Sequence, residues 1–428
     1  MAHTPSLLLL ATLPFQWALP LGNGWDMPLA RALAAAIVVT FLFEALIRRK
    51  ISLTWPQSAL LFSFLAWSAS SLLWAERLDL AFPKAAFLFN ILPLFLVWQQ
   101  QLAVPEQRSR SVQALLFGAA AAAIVGLSFF FAQFVFGVSE TFHFLLDRIL
   151  PFFLGQELSQ AVAQYPSLLV NIHGDTWLRT TAFFPDPHVA SYFFGLTFFL
   201  ALSWAKETGK RRYAAIAALL FLADVLSFSR GGYIGLLFGS ISYALLSREL
   251  AWSKIQRFFS KWSVLVFVVL FIFGAPVFSR FFTSFTLEDS SSTERIVLWS
   301  AAFDTLTQRP FLGTGLGNYL TTAEPLASAT TPLYAHNLFF DIALETGLIG
   351  ATLFFSLFGV ALFQLWATRR ISPMVSGVFA ALTLYLAHSI FETAIFSLHA
   401  SIVLMFLLGL AANTHQPDLL QSKHGGTD

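Results

Sequence analysis

Between residues 5 and 413 the chain returns about a dozen times to an apolar stretch long enough to cross a lipid bilayer, which constrains its fold more than any single motif. A bilayer core takes roughly 20 apolar residues as helix. Such stretches fall near 5–21, 28–47, 54–74, 80–98, 111–136, 187–205, 212–228, 231–247, 262–279, 338–362, 374–396 and 398–413. With 57% hydrophobic and 11% charged residues and a mean hydropathy of +0.70, the composition lies far outside soluble globular usage. The sequence therefore predicts an all-α, polytopic membrane protein of about twelve transmembrane helices, a single integral membrane domain over residues 1–428.

Basic residues orient that bundle, because Lys and Arg accumulate on the cytoplasmic side. Alternate connections collect Arg48, Arg49 and Lys50; Arg108 and Arg110; Lys206, Lys210, Arg211 and Arg212; Arg248, Lys254, Arg257 and Lys261; Arg369 and Arg370; and Lys423 in the tail. Both termini are thus expected in the cytoplasm, with 414–428 a short cytoplasmic tail. The first stretch has no basic leader and no small-residue cleavage site, so it reads as a retained helix. On the opposite, outer face two connections stand out by length, 137–186 and 280–337, and connections of that size usually carry function. Each contains amphipathic stretches, FHFLLDRILPFFLGQ and ERIVLWSAAFDTLTQ, expected to fold back onto the outer surface. In the second, Ile296, Trp299, Ala302 and Phe303 recur at helical spacing, with Ser291, Ser292 and Thr293 as caps ahead of Glu294.

A net charge of only +2 argues against a polyanion-binding surface, and no nucleic-acid motif is present, so nucleic acid is not an expected partner. The chain has no cysteine, which excludes disulfides, thiolate nucleophiles and cysteine-ligated zinc.

The basic residues left outside are Arg31, Arg77, Lys84, Arg148, Arg179, Arg230, Arg280, Arg295 and Arg309, all arginine but one. Arginine's planar fork suits bidentate phosphate binding. For Arg31, Arg77, Arg148 and Arg280, interfacial snorkelling is explanation enough. Arg230 lies in the short turn VLSFSRGGYIGLLFG, where Ser227, Ser229 and the amides of Gly231 and Gly232 could form an anion site at a helix end; an interface anchor is the equal alternative. In WLRTTAFFPDPHVASYFF, Pro187 suits the first turn of a helix and Asp186 its cap, while His188 reads as interfacial or as a supporting acid/base group. The glycines of RPFLGTGLGNYL lack the GxGxxG spacing and follow no strand, so they read as a turn that lets backbone approach a ligand or another helix.

Taken in order, SFSRGGYIG, RIVLWSAAFDTLTQRPFLGTGLGNY and AHNLFFDIALETGLIG resemble the shared core of the O-antigen ligase and polymerase superfamily, over residues 179–350. The resemblance implies a GT-C-like, metal-independent, inverting glycosyltransferase with no cofactor, working at the periplasmic face of the bacterial inner membrane. Its donor would be an undecaprenyl-diphosphate-linked glycan. A ligase passes the glycan to a sugar hydroxyl of lipid A–core oligosaccharide, and a polymerase passes it to another lipid-linked repeat. It assigns Arg230 and Arg295 to the diphosphate and His336 to acid/base work; Arg179 is a softer match, because Ala182 and Pro187-His188 depart from the family's Gly and Pro-Asn there.

The chemistry agrees from first principles. Displacing a polyprenyl diphosphate needs an attacking hydroxyl, a base for its proton and cations for the charge on the leaving group. No Asp-x-Asp motif for a divalent ion occurs on the outer side, so arginines would supply that charge. His336, with an ordinary pKa of about 6.5, suits the base. In LYAHNLFFDIALETGLIG, Asn337 can cap the new helix, and Asp341 and Glu345 follow on one stripe at four-residue steps. These carboxylates read as structural partners inside the bundle, with Glu345 also able to support the reaction centre; Gly347 and Gly350 permit close helix packing. The rival class is a transporter or flippase, in which Asp224, Asp341, Glu345, His388 and Glu392 would form a proton relay. A peptidoglycan-type polymerase would lack the HN…ExGxxG element. Ligase is favoured over polymerase because the second long loop carries Arg295 and His336 together.

Overall fold

The computed structural model describes residues 3–22, 25–48, 53–164, 167–172, 174–247, 274–277, 290–319 and 334–414. The expected span at 262–279, the basic cluster Arg248 to Lys261, Arg280, Lys423 and the tail beyond residue 414 fall on residues outside this set, apart from 274–277.

The described chain is mostly helical, and every other expected span holds helix. Among the described residues, five helices are long and apolar enough to cross a membrane: Leu29–Ile47, Leu78–Gln101, Pro105–Phe136, Pro187–Thr208 and Leu338–Ala367. Shorter apolar helices lie at Gln57–Leu73, Pro373–His388 and Leu398–Ala412, and Arg211–Val225 and Arg230–Ser247 complete the set. Leu398–Ala412 is buried along its whole length. Apolar on every side, it has no face to offer solvent and forms the centre of the bundle.

Two expectations need correction. The all-α reading misses two antiparallel hairpins, Ala18–Gly22 with Trp25–Pro28 and Leu169–Ile172 with Asp175–Leu178. The first takes the end of the span expected at 5–21: the helix ends at Thr12, and Pro14 and Pro20, which lack an N–H to donate, divert the chain into a turn and a strand. The span expected at 374–396 also stops early, at His388. Residues 389–397 form a connection instead, because Ser389 and Glu392 have polar partners elsewhere in the fold.

The helices pack as two groups around the central one. Pro187–Thr208 lies against Arg211–Val225 and Pro373–His388, and the last of these also packs along Arg230–Ser247. Gln57–Ser70 packs on Leu338–Ala367, and Leu94–Gln101 on Leu398–Ala412. Small residues bring backbones together: a Cβ at Gly231 would strike the His388 ring, and one at Gly232 the Ser191 hydroxyl.

The first long connection has a core of its own, formed by Leu145, Leu146, Leu150, Leu154, Val162, Leu168 and Leu178. In the second, the Ser290–Gln308 helix is attached to the bundle through Trp299 and Ala302, which cluster with Tyr319, Ala335 and Leu344. Ile296 and Phe303, of the same helical stretch, are exposed.

The most irregular span is Leu338–Ala367, broken at Gly347, whose φ is 67°. The break frees backbone groups that lipid could not satisfy. The RPFLGTGLGN turn supplies the partners: Thr314 N donates to Leu344 O at 2.7 Å, Gly315 N to Glu345 O at 3.0 Å, and Leu348 N to Pro310 O at 2.8 Å. Trp67 Nε1 donates to Thr346 O at 2.7 Å. Those glycines therefore serve the approach of backbone to another helix.

Candidate active site

His336 occupies a short turn just before Leu338–Ala367 and has a φ of 51°. A non-glycine residue in the left-handed region costs about 1–2 kcal/mol, so its surroundings must hold it. Asn337 follows as the helix cap, accepting from Phe339 N at 2.9 Å and Phe340 N at 3.2 Å. Leu338 N donates to Ser389 O at 2.9 Å and joins this turn to the 389–397 connection. There Glu392 places both carboxylate oxygens 3.0 Å from His336 Nδ1. The Glu392 carboxylate raises the His336 pKa against the opposing effect of burial and of Arg295. Burial alone would raise the Glu392 carboxyl, but the adjacent His336 outweighs it and holds Glu392 well below the usual carboxylate range. His336 remains 37% exposed while Glu392 is 15% exposed, so the imidazole faces outward with its carboxylate behind it.

Asp341 lies one turn into the helix and is fully buried. Its Oδ1 accepts from Ala335 N at 2.7 Å, and its Oδ2 accepts from the Thr393 hydroxyl. Ala335 also accepts at its carbonyl, from Trp299 Nε1 at 3.0 Å. Arg295 is one helical turn before Trp299, close enough for its charge to act on His336. The long loop thus ties the helix that carries Arg295 to the His336 turn through the Trp299–Ala335 hydrogen bond.

A second constellation lies beside this one. Ser229 opens the Arg230–Ser247 helix and accepts from Gly232 N at 3.2 Å. Its hydroxyl also meets His188 Nδ1 at 2.8 Å and His388 Nε2 at 3.4 Å. The buried His388 ring stacks on Tyr192 with centroids 3.7 Å apart. Asp186 caps the His188 helix as expected, accepting from His188 N at 2.6 Å; burial, followed by the charge of Glu392, raises its pKa. The exposed glycine amides imagined for an anion site take a different form: Ser229 occupies one, and the two glycines make room for His388 and Ser191.

Arg230 is buried at the start of its helix. Arg179, equally buried, donates from Nε to Ser227 O at 2.6 Å and from Nη1 to Ser167 O at 3.1 Å, which ties the first long connection to the turn that presents Arg230. Ala182 and Phe228, on either side of this junction, have φ of 51° and 52°. Glu345 forms a buried ion pair with Lys84, whose ammonium also lies over the rings of Tyr334 and Phe396 at 4.9 and 4.5 Å.

The structure therefore brings His336, Arg295, Asn337 and His188 into one region, and it adds Glu392 and Ser229, which the sequence reading did not place there. From sequence, Glu392 entered only the proton relay of the transporter reading, and Ser229 only the turn around Arg230. Among the described residues, no three His, Cys, Asp or Glu side chains are grouped as metal ligands.

Residues 214–355 match the family model described as O-Antigen ligase. The match supports the O-antigen ligase superfamily. It spans about a third of the chain and contains Arg230, Arg295, His336, Asn337 and Glu345. Arg179, His188, His388 and Glu392 lie outside it. No curated protein matches the chain.

Proposed function

We propose that the protein is an O-antigen ligase of the bacterial inner membrane: a metal-independent, inverting GT-C-type glycosyltransferase that moves a glycan from undecaprenyl diphosphate to a sugar hydroxyl of lipid A–core oligosaccharide. The observation that carries this reading is the outward-facing His336 imidazole backed by Glu392, on a turn that Trp299 ties to the helix carrying Arg295. Glu392, as a carboxylate, only accepts, so Nδ1 carries the proton donated to it and Nε2 is left with a lone pair for the acceptor hydroxyl. The hydroxyl oxygen attacks the anomeric carbon in line, and the carbon–oxygen bond to the diphosphate breaks. The proton passes to Nε2, where Glu392 stabilises the imidazolium. Arg295 and Arg230 offset the charge gathered by the leaving diphosphate, and Arg179 fixes the turn from which Arg230 starts.

The family match fits a polymerase equally well, with a second lipid-linked repeat as acceptor. The joining of Arg295 to His336 within one loop supports the ligase reading. The groups that a proton relay would need are committed separately: Asp224 to Ser191, Glu345 to Lys84, and Asp341 to the His336 turn. Reconstitution of the purified protein with lipid-linked donor, offered lipid A–core or a second donor molecule, tests the assignment. A ligase gives glycan on lipid A–core. Elongation of the lipid-linked glycan alone would make the protein a polymerase, and no transfer to either acceptor would remove the enzyme reading.

A further inference from the structure

Asp341 is a buried carboxylate that the proposed reaction does not use, yet both of its oxygens are engaged with the two segments that carry the reacting pair. Oδ1 holds Ala335 N, the amide immediately before His336. Oδ2 holds the hydroxyl of Thr393, immediately after Glu392, and Thr393 N donates back to Glu392 Oε1 at 3.0 Å. These segments lie on either side of two helices, separated by 56 residues in the chain. Leu338 N to Ser389 O and the His336–Glu392 contact also join them. A left-handed residue such as His336 keeps its conformation only where its neighbours over-determine it. Here the amide before it is fixed by Asp341, the carbonyl before it by Trp299, and the residue after it is a helix cap.

We infer that Asp341, with Thr393, is a positioning clamp that sets the His336–Glu392 geometry. The inference rests on His336 acting as the base. Asp341 touches neither partner's ring or carboxylate directly; it fixes the backbone on one side and the residue adjoining Glu392 on the other. A displacement of about 1 Å at a reacting group can cost about 100-fold in rate, so a clamp of this kind controls turnover and leaves donor binding to the arginines. Besides Glu392, the charged groups acting on His336 are Arg295 and Asp341 itself.

The test uses the full-length protein in the reconstituted transfer assay, with kcat, donor KM and the pH profile measured for Asp341→Ala, Asp341→Asn and Thr393→Val, and with His336→Ala as control. Asp341→Asn keeps an oxygen for Ala335 N, and the Thr393 hydroxyl can turn to accept from its amide. Thr393→Val is nearly isosteric and removes only the Oδ2 arm. Expected are a loss in kcat of about 10- to 100-fold for Asp341→Ala with donor KM unchanged, substantial recovery in Asp341→Asn, and for Thr393→Val a lower kcat with the acid limb moved to lower pH as Glu392 loosens from His336. Wild-type kcat in Thr393→Val, or a limb that does not move, overturns the clamp even where Asp341→Ala fails to fold. An active His336→Ala protein would sink the base assignment instead; an inactive one with an unchanged Thr393→Val profile sinks the clamp alone.

Discussion

His336 reaches its role by contacts that are non-local. Its type and its place before a span are readable from AHNLFF, and so is the Asn337 cap, because capping depends on residues two or three positions away. Glu392 is not readable in that way: it lies within an apolar run, and only the fold brings it to the imidazole. The pair makes a pH prediction whose sign is fixed. A base must be neutral, so transfer should rise with pH through the His336 pKa, and because Glu392 raises that pKa the rise should fall above the ordinary imidazole value. Glu392→Gln removes the carboxylate charge, lowers the His336 pKa and should move the acid limb to lower pH, while His336→Ala should reduce kcat by about 100- to 10,000-fold. Initial rates across pH for the wild type and Glu392→Gln check this. An acid limb at the same pH in both would separate Glu392 from the base.

Among the elements, the broken helix shows where pattern reading stops. ETGLIG reads as small residues in an apolar helix, and Gly350 does pack against Trp67. Gly347 has the same surroundings in sequence but is the point where the helix is interrupted, and the sign of that is the RPFLGTGLGN turn some 30 positions earlier. Gly313, Gly315 and Gly317 all take positive φ so that this turn can lie against the break. The first hairpin was missed for a similar reason, because hydropathy at 5–21 masks the prolines that stop the helix. Gly347→Ala should be severe: its Cβ would meet the carbonyl of Phe311, and the left-handed conformation alone costs about 1–2 kcal/mol. The variant should melt at lower temperature in detergent and lose the docking of residues 310–315 on the break. Wild-type melting would mean that the break is not under strain at this position.

On the scale of the whole molecule, the site is made at the junction of the two long connections with the late helices, and its chemistry depends on which side of the bilayer that junction faces. The basic residues give the orientation by sequence, with Lys210, Arg369 and Lys423 inside and both long connections outside. The proposed transfer requires His336 on the periplasmic side. The absence of cysteine in the chain makes this directly measurable. Single substitutions at exposed positions, Glu140→Cys and Ser300→Cys in the connections expected outside and Lys210→Cys and Arg370→Cys in the segments expected inside, give a protein with one thiol each. In cells with a permeabilised outer membrane, a charged maleimide that cannot cross the inner membrane should label the first two and spare the others until the cells are lysed. Labelling of Lys210→Cys before lysis, with Ser300→Cys protected, would invert the molecule and place His336 on the wrong side for the proposed acceptor.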